Sequence, residues 1–411
     1  MKVLYLIHQF YPEFHSGTEK FVFNTAYMTQ QKGIKVKVLT YGFYEDSFFE
    51  GKEKNIFIKE FTYKGIPVTV FKYIDQPMDL HISLNDDSTF KFAKEFLKRE
   101  KPDIIHVGHS MRVHQFVLAA LELNIPYIMT LTDFFLICPK IILAPNQNSL
   151  CSGPEKGSAC KILCSEFDNR FIIDRLELAK KILFKAKAVI SPSVFLARMF
   201  IKEFEKLPIV VNQHGIDFGN IKTNEKVYSA NSILNFGFAG TFIYHKGLHI
   251  LINAFNNINN GNARLIIYGR GEPAYTSRIM ELCEGNKNIE FRGSYNSDQL
   301  PTIYQEIDVI IFPSIWYENF PFVLQEAFAS NVPVIGSNLG ATADIVINNV
   351  NGFTFQPGNP EDLSDKIMML IGNPELINSL KENIRTHTQA TNIEQESYFY
   401  WKLYRKVGMG L

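Results

Sequence analysis

Short aliphatic and β-branched runs alternate along this chain with stretches whose apolar positions recur every three or four residues. KVLYLIH (Lys2 to His8) and IKVKVLTY (Ile34 to Tyr41) read as strands, and between them Phe21, Thr25 and Met28 fall at helical spacing until Gly33 closes the segment. PDIIHVG (Pro102 to Gly108), IPYIMTLT (Ile125 to Thr132), AKAVISPS (Ala186 to Ser193) and LPIVVNQ (Leu207 to Gln213) continue the series. Strands parted by helices of this length pair in parallel. The pattern then restarts with SILNFGFAG (Ser232 to Gly240), ARLIIYG (Ala263 to Gly269), KNIEFRG (Lys287 to Gly293), IDVIIFPS (Ile307 to Ser314) and VPVIGS (Val332 to Ser337).

The expected architecture is α/β: two tandem doubly wound, Rossmann-like domains, residues 1–222 and 223–390. The boundary falls in Asp217 to Asn231, where Gly, Asn and Ser accumulate. Ligands of such sheets sit beyond the carboxyl ends of the strands, so the two domains are expected to face each other across a cleft. Ile393 to Val407 is helical in pattern and aromatic, and residues 391–411 are expected to pack back on the first domain. Tyr41 to Tyr63 and Asp75 to Ser88 read as loops.

Composition narrows the function. A chain of 411 residues exceeds one ordinary core, and 46% apolar against 20% charged residues exclude a disordered chain. Basic and acidic residues balance at 42 each, so no overall field draws nucleic acid, which is not expected as a partner. The apolar opening is too short for a signal peptide, and the window Ile125 to Pro145 is broken by Asp133, Pro139 and Lys140. A cytoplasmic protein is expected. Arg175, Lys180, Lys181, Lys185 and Lys187, interleaved with Leu176, Leu178, Ile182, Leu183 and Phe184, form a basic amphipathic pattern suited to peripheral contact with the inner face of a membrane. The solvated face of a core helix would look the same. Four of the five cysteines, Cys138, Cys151, Cys160 and Cys164, cluster; they are a candidate structural metal site without the tight CxxC pairs of a zinc ribbon, and free thiols are the competing reading.

Three stretches of the second half carry candidate chemistry. FGFAGTFIYHKGLHILINAF sets Gly240, Lys246 and Gly247 between a strand and a helix start, where a lysine beside outward amides suits phosphate. YGRGEP supplies Gly269 and Gly271, either a simple turn or a backbone close to a ligand; it is not a full dinucleotide fingerprint, which counts against NAD. PSIWYENFPFVLQEAFASNVPVIGS holds Glu318 in a loop and Glu326 in the first turns of the next helix. Two carboxylates in an apolar unit need polar partners, and sugar hydroxyls suit them because each carboxylate accepts several hydrogen bonds. A dipole-favoured helix carboxylate beside an exposed one is the plainer account.

Taken in order, GTFIYHKG, LIIYGRG, FRGSYNS and the double-glutamate stretch resemble the donor domain of the retaining nucleotide-sugar glycosyltransferases of family four, which have the two-domain GT-B fold. Glu318 and Glu326 match that family's E-x7-E signature. The resemblance implies that Glu326 holds the ribose, Glu318 faces the donor sugar and Lys246 meets the diphosphate, Glu318 and Lys246 being the catalytic candidates. It also sets the backbone of Asn319, Phe320, Pro321 and Phe322 along the sugar, places the base near Gly293 and Tyr295, and counts Gly240 and Gly269 in the donor site. In the first half HQFYPEFHSGTEK is similar to the family's glycine-rich loop, which implies Gly17 under the diphosphate or the sugar. PDIIHVGHS matches a His-bearing strand at His106, and TLTDFFLICPK resembles a THD-type loop at Asp133. His106, His109 and Asp133 are the acceptor-side candidates.

The pattern has departures. Thr241 stands where many members carry an arginine, Asn319 replaces a glycine, Thr132 replaces a histidine, and His214 stands where asparagine is typical. His109 is the candidate to take over contacts of the missing histidine. The resemblance implies transfer from a nucleoside-diphosphate sugar to a glycan, lipid-linked glycan or other hydroxyl, in cell-surface polysaccharide or glycolipid synthesis. It requires no cofactor and no catalytic metal; the nearest approach to an Asp-x-Asp motif is Asn85-Asp86-Asp87 in an expected loop. A glycosidase pair is disfavoured, because glutamates so near in sequence need not face one bond from opposite sides. The competing readings are a sugar-nucleotide epimerase or phosphorylase of the same fold, and a non-catalytic nucleotide-sugar or glycan-binding protein.

Overall fold

The computed structural model describes residues 1–84, 87–147, 149–258 and 261–408. It divides into two compact units, one of Met1–Gly215 with Ile393–Leu411, the other of Ile216–Asn392. The units part at Gly215 rather than within the expected stretch from Asp217 to Asn231. That stretch is anchored in the second unit: the side chain of Asn224 is buried, donates to the carbonyls of Tyr304 and Ile307 at 3.0 Å each, and accepts from Lys381 at 3.1 Å.

The first unit is built on nine strands: β1 (Lys2–Ile7), β2 (Lys35–Tyr41), β3 (Gly51–Glu53), β4 (Ile56–Tyr63), β5 (Ile66–Tyr73), β6 (Ile104–Val107), β7 (Tyr127–Thr130), β8 (Ala188–Ser191) and β9 (Ile209–Val211). Their order is β3-β4-β5-β2-β1-β6-β7-β8-β9. The six strands expected from the sequence pair in parallel. Tyr41 to Tyr63 is not a loop. β4 and β5 form an antiparallel hairpin through Lys64 and Gly65, both at positive φ, and β5 joins β2 in parallel. A two-residue turn with both positions at positive φ matches the twist of a hairpin, and IFIKEFTY alternates as a strand should. Asn85 and Asp86 lie outside the described residues.

The second unit repeats the winding with six parallel strands: β10 (Leu234–Ala239), β11 (Ala263–Tyr268), β12 (Ile289–Gly293), β13 (Val309–Phe312), β14 (Val334–Ser337) and β15 (Gly352–Phe355), in the order β12-β11-β10-β13-β14-β15. Its core lies on both faces of this sheet, Phe236, Leu251, Leu265 and Ile367 in one cluster, Ile266, Ile310, Leu324 and Val334 in the other. Strand order reverses between β1 and β6 in the first unit and between β10 and β13 in the second. At such a switch point the loops diverge and leave a crevice at the carboxyl ends.

The helix Ile393–Gly408 belongs to the first unit. Tyr400 and Tyr404 are fully buried there, and Glu396 accepts from the Gly215 amide at 2.7 Å and lies 2.9 Å from His214 Nδ1.

Candidate functional site

In the second unit the chain leaves β10 at Gly240, turns through Tyr244–Lys246 and enters the helix Leu248–Asn256 by way of Gly247. Gly247 sits at φ +71°, and a Cβ there would lie 1.9 Å from the carbonyl oxygen of Pro313 at the end of β13. Only glycine permits that approach. Lys246 is thereby placed over the loop that carries Glu318. Its ammonium donates to Glu318 Oε1 at 2.7 Å, and the same oxygen accepts from Ser314 Oγ and Trp316 Nε1, each at 2.6 Å.

Glu318 is 7% exposed. Burial alone would push its carboxyl up, but the Lys246 charge and the donors from Lys246, Ser314 and Trp316 outweigh it and hold the group below its ordinary range. All three donors converge on one oxygen, which leaves Oε2 without a side-chain donor. An ionised carboxylate with one unused acceptor and a partly exposed ammonium beside it can orient hydroxyls and meet a developing negative charge.

The neighbouring turns share the edge. The Gly240 amide donates to the Tyr268 carbonyl at 3.1 Å, and the Gly269 amide to Gly293 at 2.8 Å, so the ends of β10, β11 and β12 stand side by side. Gly269 has φ +145°, and its Cβ would lie 1.9 Å from the Gly240 carbonyl. Close packing of two loops explains this glycine without a ligand. Tyr295 is largely enclosed, with its ring edge-on to Tyr268 at 6.1 Å, and burial followed by the Glu326 charge pushes its phenol up. Glu326 is buried in the helix Phe322–Ala329 and accepts from Tyr304 Oη at 3.3 Å. Glu318 and Glu326 thus flank Asn319 to Phe322, with Phe320 edge-on to Phe322 at 5.8 Å.

One expectation changes. The amides at the start of Leu248–Asn256 do not all point outward, since Tyr275 Oη accepts the His249 N–H at 3.2 Å and lies 2.8 Å from His249 Nδ1. His245, Ser314 and Trp316 were not singled out from the sequence, although all three surround the ion pair. His245 stacks on Trp316 with ring centroids 3.7 Å apart, and burial, followed by the Lys246 charge, lowers its imidazole to about 4. The signal was available: an indole N–H two residues from a buried glutamate is a ready donor.

The first unit treats its candidates differently. His106 is wholly buried, with Nδ1 2.7 Å from Tyr404 Oη and Nε2 2.8 Å from Thr130 Oγ1, and burial, followed by the His214 charge, lowers it to about 3. It is a core residue rather than an acceptor contact, because both ring nitrogens end on this unit's own hydroxyls. His109 and Asp133 do come together: His109 Nδ1 accepts the Met111 N–H at 3.1 Å, so Nε2 carries the proton that it donates to Asp133 Oδ2 at 2.5 Å. His8, which the sequence presented only as a strand residue, stacks on His109 at 4.0 Å. Arg112 donates to the His8 carbonyl at 3.2 Å. Gly17 is the first residue of the helix Gly17–Gln31, capped by Ser16 and Glu19. Thr132 donates to the Gly108 carbonyl at 3.0 Å.

The four clustered cysteines are buried and line one cavity, and among the described residues no three or more His, Cys, Asp or Glu stand in the geometry of an assembled metal centre. No described helix is long and apolar enough to cross a membrane.

Comparison with known proteins gives a consistent picture. The family model described as Glycosyltransferase Family 4 matches residues 15–219, and that of Glycosyl transferases group 1 matches residues 226–387. The chain is 26% identical to an uncharacterized glycosyltransferase of Methanocaldococcus jannaschii over 362 residues, 86% of this chain and 84% of that protein. Over 189 residues, 43% of this chain and 49% of the relative, it is 29% identical to the capsular polysaccharide biosynthesis glycosyltransferase CapM of Staphylococcus aureus. Among solved structures, HepE of Anabaena in complex with UDP and glucose superposes with a TM-score of 0.70 at 18% identity, covering 98% of this chain and 99% of that one. Sucrose-phosphate synthase of Thermosynechococcus elongatus superposes with a TM-score of 0.70 at 17% identity, covering the whole of both chains.

Proposed function

The chain belongs to the two-domain GT-B glycosyltransferases of the family four type, and we propose that it moves a hexose from a nucleoside-diphosphate sugar to a hydroxyl acceptor with retention of anomeric configuration. The observation that carries this reading is the Lys246–Glu318 pair at the β10/β13 switch point, with Glu326 one helix turn beyond. In the proposed complex Glu326 accepts from the ribose hydroxyls, and Gly293 and Tyr295 border the base. The backbone of Asn319 to Phe322 lies along the sugar, and the free oxygen of Glu318 takes one of its hydroxyls. As the glycosidic bond breaks, charge builds on the departing diphosphate, and Lys246 meets it. Glu318 keeps Lys246 oriented before the donor arrives. His109 and Asp133 are the acceptor-side pair of the first unit.

The acceptor we propose is a glycan or lipid-linked glycan of a cell-surface polysaccharide, reached at the inner face of the membrane; the likeness to CapM supports this choice. UDP-sugars are the first donors to try, since UDP is the nucleotide in the HepE crystals. The test is donor binding followed by thermal shift, with transfer assayed alongside. Glu326→Ala is expected to weaken donor binding about tenfold or more, as removal of a charged acceptor does. Lys246→Ala is expected to lower kcat by about a hundredfold with a smaller change in donor affinity, because its partner charge grows in the transition state. Unchanged transfer in both variants sinks the assignment.

A further inference from the structure

Between β7 and the helix Asn169–Lys185 the chain runs through residues 131–168, whose only helical elements among the described residues are a 3-10 turn, Glu155–Gly157, and a short helix, Ser158–Leu163. A long irregular segment inside a compact unit needs something besides secondary structure to hold it. This one is nonetheless packed inward, with Phe134, Phe135, Ile137 and Leu143 almost fully buried. It is also strained, since Ile141 and Leu143 sit at φ +70° and +51°. All four of its cysteines line a single enclosed cavity with a free volume of about 10 Å³, and each is 8% exposed.

Two features show what that cavity is prepared for. The Cys151 amide donates to the Leu143 carbonyl at 2.7 Å and the Ile141 amide to the Cys138 carbonyl at 3.0 Å, so backbone bonds hold two cysteine-bearing turns against the same cavity. Beside it lies Arg175, 4% exposed, whose guanidinium donates only to carbonyl oxygens: Ile82 at 2.8 Å, Leu136 at 3.2 Å, and Phe135. A buried guanidinium without a carboxylate against it is costly unless an anion offsets it. The groups whose negative charge would reach it are Cys138, Asp133 and Cys160.

We propose that Cys138, Cys151, Cys160 and Cys164 bind one divalent zinc ion as a tetrathiolate that staples this segment, with Arg175 as the buried counter-charge. Four thiols each give up a proton to solvent and one Zn²⁺ enters, leaving a net charge of minus two that Arg175 offsets in part, Lys140 being nearby but paired with Glu166 at 2.5 Å. Among the described residues the four sulfurs do not already stand as an assembled metal centre. The side chains therefore stand around the cavity without being drawn to one point, and the ion supplies the attraction that gathers them.

The experiment is elemental analysis of protein purified without chelator. About one zinc per chain is expected, released by a mercurial thiol reagent and followed with a zinc-binding dye. Cys160→Ser is expected to hold less than about a tenth of that, Cys160→His to keep it because imidazole replaces thiolate, and Cys283→Ser, away from the cavity, to keep it fully. The wild-type release and the histidine variant keep the test decisive should the serine variant fail to fold. Zinc-free protein with alkylatable thiols, a mass showing two disulfides, iron–sulfur absorbance, or zinc retained in folded Cys160→Ser would each overturn the proposal.

Discussion

The two switch points occupy equivalent places in two similar sheets and are filled in opposite ways. At β1/β6 the His109–Asp133 pair terminates on its own unit, while His8 Nδ1 and Glu19 Oε1 beside it are buried without a hydrogen-bond partner among the described residues. His109 uses both ring nitrogens, and Asp133 uses one oxygen for His109 and the other for the Phe135 amide at 2.8 Å. At β10/β13 three donors crowd one oxygen of Glu318 and leave the other open, while Lys246 is 24% exposed at its side chain. The winding decides where a site can be; a partly exposed ammonium beside a carboxylate with an open oxygen lets the second unit meet a charged ligand without first breaking its own bonds.

The sharpest way to break this comparison is to neutralise one carboxylate in each unit. Glu318→Gln keeps the shape but leaves Lys246 without its counter-charge and removes the anionic acceptor, and transfer is expected to fall about a hundredfold or more. Asp133→Asn is expected to alter the acceptor KM by no more than about tenfold, because its loss is the orientation of His109 rather than a charge at the reacting bond. Steady-state kinetics of the two variants decide it. Equal losses would mean that the β1/β6 cluster also touches the reacting atoms.

The same contrast explains what could be read from the chain. In the second unit, Glu318 and Glu326 lie on one strand-to-helix connection and in the helix it enters, so their spacing is a local matter and the motif showed itself in the letters, whereas Lys246 comes from the β10 connection 72 residues earlier. The roles of Gly247 and Gly269 were half legible, since a glycine after a strand announces a tight turn but not which carbonyl it must clear. In the first unit the meaning of His106 depends on Tyr404, almost three hundred residues later, and no periodicity announces that the last helix will place a phenol against that strand. The β4/β5 hairpin was present in the Lys-Gly turn and in the KEFTY end of β4, where exposed Glu60 and Thr62 alternate with half-buried Phe61 and Tyr63, and was masked by the unbroken apolar opening Ile56-Phe57-Ile58.

A second prediction tests the enclosed character of the first unit. His106→Ala strands the hydroxyls of Tyr404 and Thr130 and opens a void, so a loss of about 2–4 kcal/mol is expected in urea unfolding of that unit. The donor-induced thermal shift, which belongs to the second unit, is expected to remain at low temperature, where the variant is still folded. Loss of donor binding without loss of stability would place His106 in the ligand site after all.

The smallest effect separates the units by pH. Each carries one tryptophan, Trp401 in the first and Trp316 in the second, so Trp401→Phe leaves a fluorophore that reports the second unit alone. Its ring lies against His245, whose imidazole is lowered to about 4 from an ordinary 6.5 by burial and then by the Lys246 charge. Between those values the unfolded chain takes up a proton that the native ring refuses, so stability falls as pH drops from 6.5 and the full loss is reached below about 4. Screening at this half-buried ring reduces the loss to about 1–2 kcal/mol. Glu318 adds a second, later decline: its carboxyl is held below the ordinary 4.5, and the stability it contributes above that value disappears as pH falls through its native pKa. In Trp401→Phe protein the emission of Trp316 should therefore titrate near pH 4, because an imidazolium on the ring face quenches indole emission more than a neutral imidazole does. His245→Gln should abolish that step and flatten the decline in urea midpoint between pH 6.5 and 4.5. A step that stays near 6.5 would show His245 in water, and with it a Lys246–Glu318 pair far less enclosed than its hydrogen bonds require.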